Sequence, residues 1–146
     1  GLTDVNDFSS PDGLWFDQNG MLWIQTDDGA YTDVTNCMML AAIPGKVGDG
    51  AAAVAAGGTP TIKGANATPT TVRRFLVGPK ECEITGIAMT PDRKTLFINV
   101  QHPGEDGSLG AMTSHWPASQ TDASSTKRPR SATVVITRTN GGEIAV

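Results

Sequence analysis

Aspartates are the only charged residues in the first 45 positions of the chain. Seven aspartates precede Lys46, the first lysine or arginine: Asp4, Asp7, Asp12, Asp17, Asp27, Asp28 and Asp33. Such a run could bind a cation, since hard metal ions such as calcium take carboxylate oxygens as ligands. Aspartate also marks turns between strands, because its side chain accepts hydrogen bonds from nearby backbone amides. For most of the seven we favour the turn interpretation.

Two arginines and two cysteines also carry reactive or binding groups. The guanidinium groups of Arg73 and Arg74 suit phosphate, but on an outer strand they would be exposed edge charges, the interpretation that we favour. Cys37 and Cys82 do not have the spacing of paired-cysteine zinc sites. They could pair with each other, although two small buried hydrophobic residues are the favoured interpretation.

The composition excludes several classes of function. The chain has 146 residues, 11 Lys+Arg against 15 Asp+Glu and a net charge of −4, so it lacks the clustered cations that nucleic-acid binding requires. No apolar run approaches the roughly 18 residues of a membrane span. The first residues contain neither a Met nor an apolar signal segment, so any targeting signal is expected to lie outside this sequence.

The elements that position these groups are predicted to be strands, because helical periodicity is rare and turn residues recur. In the first half they cover residues 13–16, 21–26, 37–43 and 72–77. Asn19–Gly20 joins the first two as a hairpin, and the uninterrupted apolar run of the third indicates burial on both faces. Residues 46–69 are rich in Gly, Ala and Thr and are predicted to form a surface loop, in which 51–56 could be one short helix.

The second half repeats the order of the first. Its predicted strands cover residues 84–89, 95–100, 132–138 and 143–146. Leu96–Ile98 aligns with Leu22–Ile24, 74 residues earlier, and Gly86 then aligns with Gly13 once one extra turn residue is allowed. Residues 102–130, rich in Ser, Thr, Pro and Gly, are predicted to be a second loop insertion.

The repeat predicts an all-β fold, a partial β-propeller of about two four-stranded antiparallel blades with long loop insertions. Without residues 46–69 the period falls to the usual blade length of about 40–50 residues. The first blade would be residues 1–80 with insertion 46–69, and the second residues 81–146 with insertion 102–130. Because two blades cannot close a ring, we expect part of a larger propeller that, in isolation, forms a homo-oligomer through its edge strands.

Three stretches of sequence resemble the C-terminal part of the PhoX-type bacterial alkaline phosphatases: Pro11–Asp27, Arg74–Gly86 and Thr90–Glu105. The most specific strings are GPKECEITG, starting at Gly78, and LFINVQHPGE, starting at Leu96. The resemblance implies a secreted or periplasmic phosphomonoesterase, exported by the twin-arginine route, with iron and calcium in the channel of a six-bladed propeller. The chain would supply roughly the final quarter of such an enzyme, and alone it is expected to be inactive.

The resemblance, together with the propeller interpretation, nominates metal ligands. The first strand of each blade lines the channel, and Asp12 and Glu83 open those two strands; we predict that they are the residues nearest the metals. Asp27 and Asp28, after the second strand, and His102, in the second blade, are weaker candidates. The alternatives are turn initiation by Asp12, a solvated strand-end acid at Glu83 and an ordinary loop histidine at His102.

Two other functions remain open from the sequence. One is a non-catalytic propeller segment that serves as a scaffold or binding module. The other is a calcium-dependent propeller hydrolase such as a lactonase, because the first hairpin motif is common among propellers. Metal content would separate the three: iron with calcium for the phosphatase, calcium alone for the lactonase, and neither for the scaffold.

Overall fold

The computed structural model describes residues 6–27, 35–44, 58, 68–119 and 124–145. Over these residues the fold is all-β, as predicted. A first antiparallel sheet has the order β1 (Pro11–Phe16), β2 (Leu22–Thr26), β3 (Met38–Ala42), β4 (Val72–Val77), and a second has the order β5 (Glu83–Met89), β6 (Thr95–Gln101), β7 (Ala132–Thr137). These seven strands lie within two residues of their predicted bounds. In the described part of the chain, no helix has the length and apolar character needed to cross a membrane.

The turns of both hairpins are held by aspartate side chains. Asp17 Oδ1 accepts hydrogen bonds from the backbone N–H groups of Asn19 and Met21, at 2.8 and 3.0 Å. Its Oδ2 accepts a third, from Trp23 Nε1 at 3.1 Å. Asp92 plays the same part in the β5–β6 turn, where it accepts from Thr90 and from the Lys94 amide. The turn interpretation is therefore correct for Asp17, whose carboxylate also orients a core tryptophan.

The core lies between the two sheets. Its buried members come from both sheets and include Trp23, Met39, Cys37, Cys82, Ile84, Leu96, Ile98 and Val100. The Phe75 ring meets Trp23 edge to face, with 4.9 Å between centroids. Strand β5, the first strand of the second sheet, packs against β1, β2 and β3 of the first sheet. Both cysteines are buried and neither is in a disulfide, and burial raises the pKa of Cys82 to about 12.

One predicted strand is absent. Residues 143–145 do not pair with β7, and Val146 lies outside the described residues. Positive φ angles at Gly141 (67°) and Ala145 (56°) turn the chain away from an extended path. Ile144, which is 3% exposed, enters the core, and its N–H donates to the Arg93 carbonyl at 2.9 Å. The segment therefore buries Ile144 in the core instead of forming a fourth strand of the second sheet.

The two insertions differ in what the structure describes. Of residues 46–69, only 58, 68 and 69 are described, so the short helix considered for 51–56 lies outside the described residues. The described part of 102–130 consists of turns with two isolated bridges, Ser108–Ala111 and His115–Ser119. This part agrees with the loop prediction.

Candidate metal centre

Strand pairing brings most of the predicted ligands to one end of the two sheets. In the first sheet Pro11 pairs with Thr26, so Asp12 and Asp27 lie at the same end. In the second, Glu83 pairs with Gln101, which places His102 beside Glu83. Because β5 packs against β1 and β2, the two pairs come together. Asp28 lies outside the described residues.

Three side chains form a tight group at this end. Asp27, Glu83 and His102 each offer a ligand atom, and these atoms lie within 4.8 Å of one another. Glu83 is 8% exposed, whereas Asp27 is exposed and His102 is partly buried. His102 Nε2 lies 3.4 Å from Glu83 Oε2. Two carboxylates and one imidazole are thus presented to a common point.

Asp12 lies next to this group but not in it. A register shift between Pro11 and Gly13 leaves Asp12 as the extra, unpaired residue of a β-bulge. A bulge interrupts the alternation of a strand and redirects its side chains. Asp12 is exposed, yet its charge still acts on Glu83. Asp27 and His102, the weaker candidates from sequence, therefore group with Glu83, whereas Asp12, one of the two leading candidates, does not belong to the group.

The group carries excess negative charge. Burial raises the pKa of Glu83, and the charges of Asp27 and Asp12 raise it further. Protonated His102 opposes this shift in the pKa of Glu83, both by a hydrogen bond and by its positive charge. An ionised Glu83 is therefore costly without a compensating cation, a condition typical of metal-binding and catalytic sites.

Backbone strain concentrates around these residues. Ser10, Glu81 and His102 have positive φ angles of 46°, 53° and 36°, a region that non-glycine residues rarely occupy. Ser10 and Glu81 each precede a candidate carboxylate by two positions. Such outliers persist where the surrounding structure enforces them, often at functional sites. For His102, the backbone N–H donates to Ser131 Oγ at 3.1 Å.

Sequence reasoning did not single out Glu105 from the polar run that contains it. Its Oε2 lies 3.0 Å from His102 Nδ1. The only signal available was the three-residue spacing between His102 and Glu105 across Pro103–Gly104, which is compatible with a turn. Arg73 and Arg74, by contrast, lie on β4 at the outer edge of the first sheet. Arg73 is exposed, as predicted for an edge charge, whereas Arg74 is partly buried.

The fold and site together define a class of protein. Two blade-like antiparallel sheets, with acidic groups at the ends of their inner strands, are typical of a β-propeller segment. A family model described as "Alkaline phosphatase PhoX" matches residues 1–104. The chain belongs to the PhoX alkaline phosphatase family.

A solved structure supports the same assignment. Pseudomonas fluorescens PhoX, in complex with vanadate, a transition state analogue, matches 98% of this chain with a TM-score of 0.68 and 38% sequence identity. The match confirms the predicted fold class, a partial β-propeller. The chain covers 20% of the Pseudomonas protein, about a fifth of its length. The search of curated proteins found no significant match.

Proposed function

We propose that this chain is one segment of a metal-dependent phosphomonoester hydrolase, in which Asp27, Glu83 and His102 hold one cation. The observation that carries the proposal is the convergence of these three ligand atoms within 4.8 Å. Glu83 and His102 lie in the two strings that resemble PhoX phosphatases most specifically. Family membership favours this function over a propeller lactonase.

The donor set fits a metal ion. Carboxylate oxygens suit calcium, and an imidazole nitrogen beside carboxylates suits first-row metals such as iron. Both metals expected from the resemblance thus find suitable donors. The repulsion that raises the pKa of Glu83 is a second argument, since a bound cation would stabilise the ionised carboxylate.

Asp27, Glu83 and His102 would hold the metal ion, which when bound would supply Lewis-acid polarisation of a phosphoryl oxygen and neutralise negative charge. The chain's own residues fix the position of that charge. Glu83 is buried at the start of β5, and Asp27 belongs to the first sheet's end of the group. His102 completes the group from the second sheet, with Nε2 directed at Glu83.

We infer that the isolated chain does not turn over substrate. Phosphoryl transfer depends on several groups that clamp the transferred phosphoryl oxygens and align the attacking group. Arg73 and Arg74 are the wrong side chains for that clamp, because they lie three strands from β1. We propose that this chain is part of a longer protein, and that the longer protein is secreted or periplasmic, as the resemblance to the family implies.

The test compares metal content and activity in the longest protein that carries this chain. Glu83→Gln should lower the bound metal by about one ion per chain, measured by elemental mass spectrometry, and should reduce hydrolysis of a chromogenic phosphomonoester. Asp92→Asn, at the other end of the same hairpin, is the matched control and should change neither. Unaltered metal content and turnover in Glu83→Gln would contradict the proposed cation site. Turnover by the 146-residue chain alone would contradict its predicted inactivity.

A further inference from the structure

We propose that Glu105 is a positioning residue: it holds the His102 ring so that Nδ1 carries the proton and Nε2 is free toward Glu83. The inference rests on the proposed cation site. Its geometry is a chain of three groups. Glu105 Oε2 lies 3.0 Å from His102 Nδ1, and His102 Nε2 lies 3.4 Å from Glu83 Oε2 on the opposite side of the ring.

The surroundings of Nδ1 call for an acceptor. This atom is enclosed from solvent and has no hydrogen-bond partner among the described residues. A buried donor without an acceptor is costly, and the Glu105 carboxylate is already within bonding distance on a side chain that is 53% exposed and can rotate. A carboxylate only accepts. Glu105 and Glu83 therefore compete for the ring proton, and the shorter contact, 3.0 Å to Glu105 against 3.4 Å to Glu83, favours Nδ1. The lone pair of Nε2 then faces the candidate ligands, the arrangement common among metal-binding histidines.

The fold places Glu105 there through backbone contacts of its own. The N–H of Gly104 donates to the Lys80 carbonyl at 2.9 Å, and the N–H of Glu105 lies 3.4 Å from the Glu81 carbonyl that accepts it. Gly104 has a φ of 74°, and a Cβ there would lie 2.9 Å from the Ser114 side chain. Only a glycine suits this close approach.

The Glu81 side chain adds a further anchor, because it accepts a hydrogen bond from Thr113 and pairs with Lys80 at 3.0 Å. The turn that carries Glu105 is thus fastened to the residues directly before Glu83. The backbone of residues 80–83 therefore helps fix the positions of both carboxylates that face the His102 ring, Glu83 directly and Glu105 through these hydrogen bonds.

The tautomer of His102 tests the inference directly. In the 15N-labelled 146-residue chain at about pH 9, where free imidazole is neutral, long-range 1H–15N spectra should show His102 protonated on Nδ1. Glu105→Ala should shift it toward the Nε2–H form, whereas Glu105→Gln, which retains an acceptor, should restore part of the original state. His115, whose Nδ1 lies 2.8 Å from the Lys127 carbonyl oxygen, is an internal reference and should not change.

Zinc, used alone as the probe ion, supplies the second readout. Glu105→Ala should weaken zinc binding by about 10–100-fold, the usual effect of removing a carboxylate that orients a ligating histidine. Asp106→Ala, which removes the same charge one residue further on, should leave the zinc affinity unchanged.

The outcomes separate this inference from the proposed function. An unchanged His102 tautomer in Glu105→Ala overturns the inference, and so does unchanged affinity when the parent chain binds zinc. A tautomer that shifts in Glu105→Ala, in a parent chain that binds no cation, supports the positioning role while counting against the proposed cation site.

Discussion

The side-chain amide of Gln25 donates a hydrogen bond to the Gly86 carbonyl oxygen at 2.9 Å and so joins the two sheets. Gln25 is 3% exposed, and the backbone of Gly13 leaves it room, since a Cβ there would lie 2.7 Å from Gln25 Oε1. Gly13 and Gly86 are the two positions that align in the sequence repeat. The link lies two residues before Asp27 and three after Glu83, so it helps fix the distance between candidate ligands that come from different sheets.

Gln25→Leu should therefore destabilise the chain by about 1 kcal/mol, because it removes a hydrogen bond that joins the two sheets. Urea unfolding followed by circular dichroism measures the loss. Gln18→Leu, the same change at an exposed turn position, is the control and should stay within about 0.5 kcal/mol of the parent. Equal stabilities of the two variants would show that the link contributes nothing.

Gly78→Ala should lower the stability of the fold, although it adds only one methyl group. A Cβ at Gly78 would lie 2.4 Å from Cys82 Sγ and 2.7 Å from Ile84 Cδ1, and overpacking of a core typically costs about 1–3 kcal/mol. Gly110→Ala is the control, because a Cβ at Gly110 meets nothing within 4 Å. Thermal unfolding should show a lower midpoint for Gly78→Ala alone, and a shared midpoint would refute the packing argument.

The raised pKa of Glu83 predicts a pH-dependent stability in metal-free solution. The folded state holds the Glu83 proton more tightly than the unfolded state, whose pKa is near the ordinary 4.5. The stabilisation that this difference provides is fully present below that value and is lost as pH rises through the folded pKa. Glu83→Gln should therefore be more stable than the parent chain near pH 7, and added calcium should narrow the gap by binding the parent.

Asp92 provides the control of opposite sign for this experiment. Hydrogen bonds from Thr90 and the Lys94 amide lower the pKa of Asp92, so its contribution is present above the ordinary pKa and is lost as pH falls. Asp92→Asn should be less stable than the parent near neutral pH. If Glu83→Gln and Asp92→Asn changed stability in the same direction, the charge argument for Glu83 would be wrong.

The edge strands predict self-association of the isolated chain. β4 and β7 are outer strands of their sheets, and Val135 on β7 is 58% exposed. Light scattering after size exclusion should show a dimer or larger species, and Val135→Lys should shift it toward monomer, because a charge on an edge strand discourages pairing. Leu109→Lys, at a loop residue that is 71% exposed, is the matched control. A monomeric parent chain would contradict the prediction.

Local sequence signals were sufficient for the strands and hairpins, because Asn19–Gly20 and Asp92 act through contacts with their own turns. They were insufficient for residues 143–145, where burial of Ile144 between the sheets decides the path of the chain. That burial depends on side chains far away in sequence, such as Phe75 in β4, and no local pattern contains it.

The candidate site shows the same division. Motif positions placed Asp12, Asp27, Glu83 and His102 at strand ends, and pairing brings those ends together. The finer arrangement depends on the bulge at Asp12 and on the positive φ at His102. Both are departures from regular strand geometry, which periodicity assumes. The sequence therefore indicated which strand ends carry the candidate ligands, but not that Asp27 and His102 would group with Glu83 while Asp12 lies outside the group.

The direction of the strands has a practical consequence for engineering. β3 ends at Ala42 and β4 begins at Val72, at the end of the first sheet away from Glu83, whereas β6 ends at Gln101 on the same side as Glu83. A fluorescent tag inserted between these two strand ends should therefore not crowd the candidate ligands. The connection 102–130 leaves and returns beside them, and it is the place to randomise in a library aimed at altered selectivity.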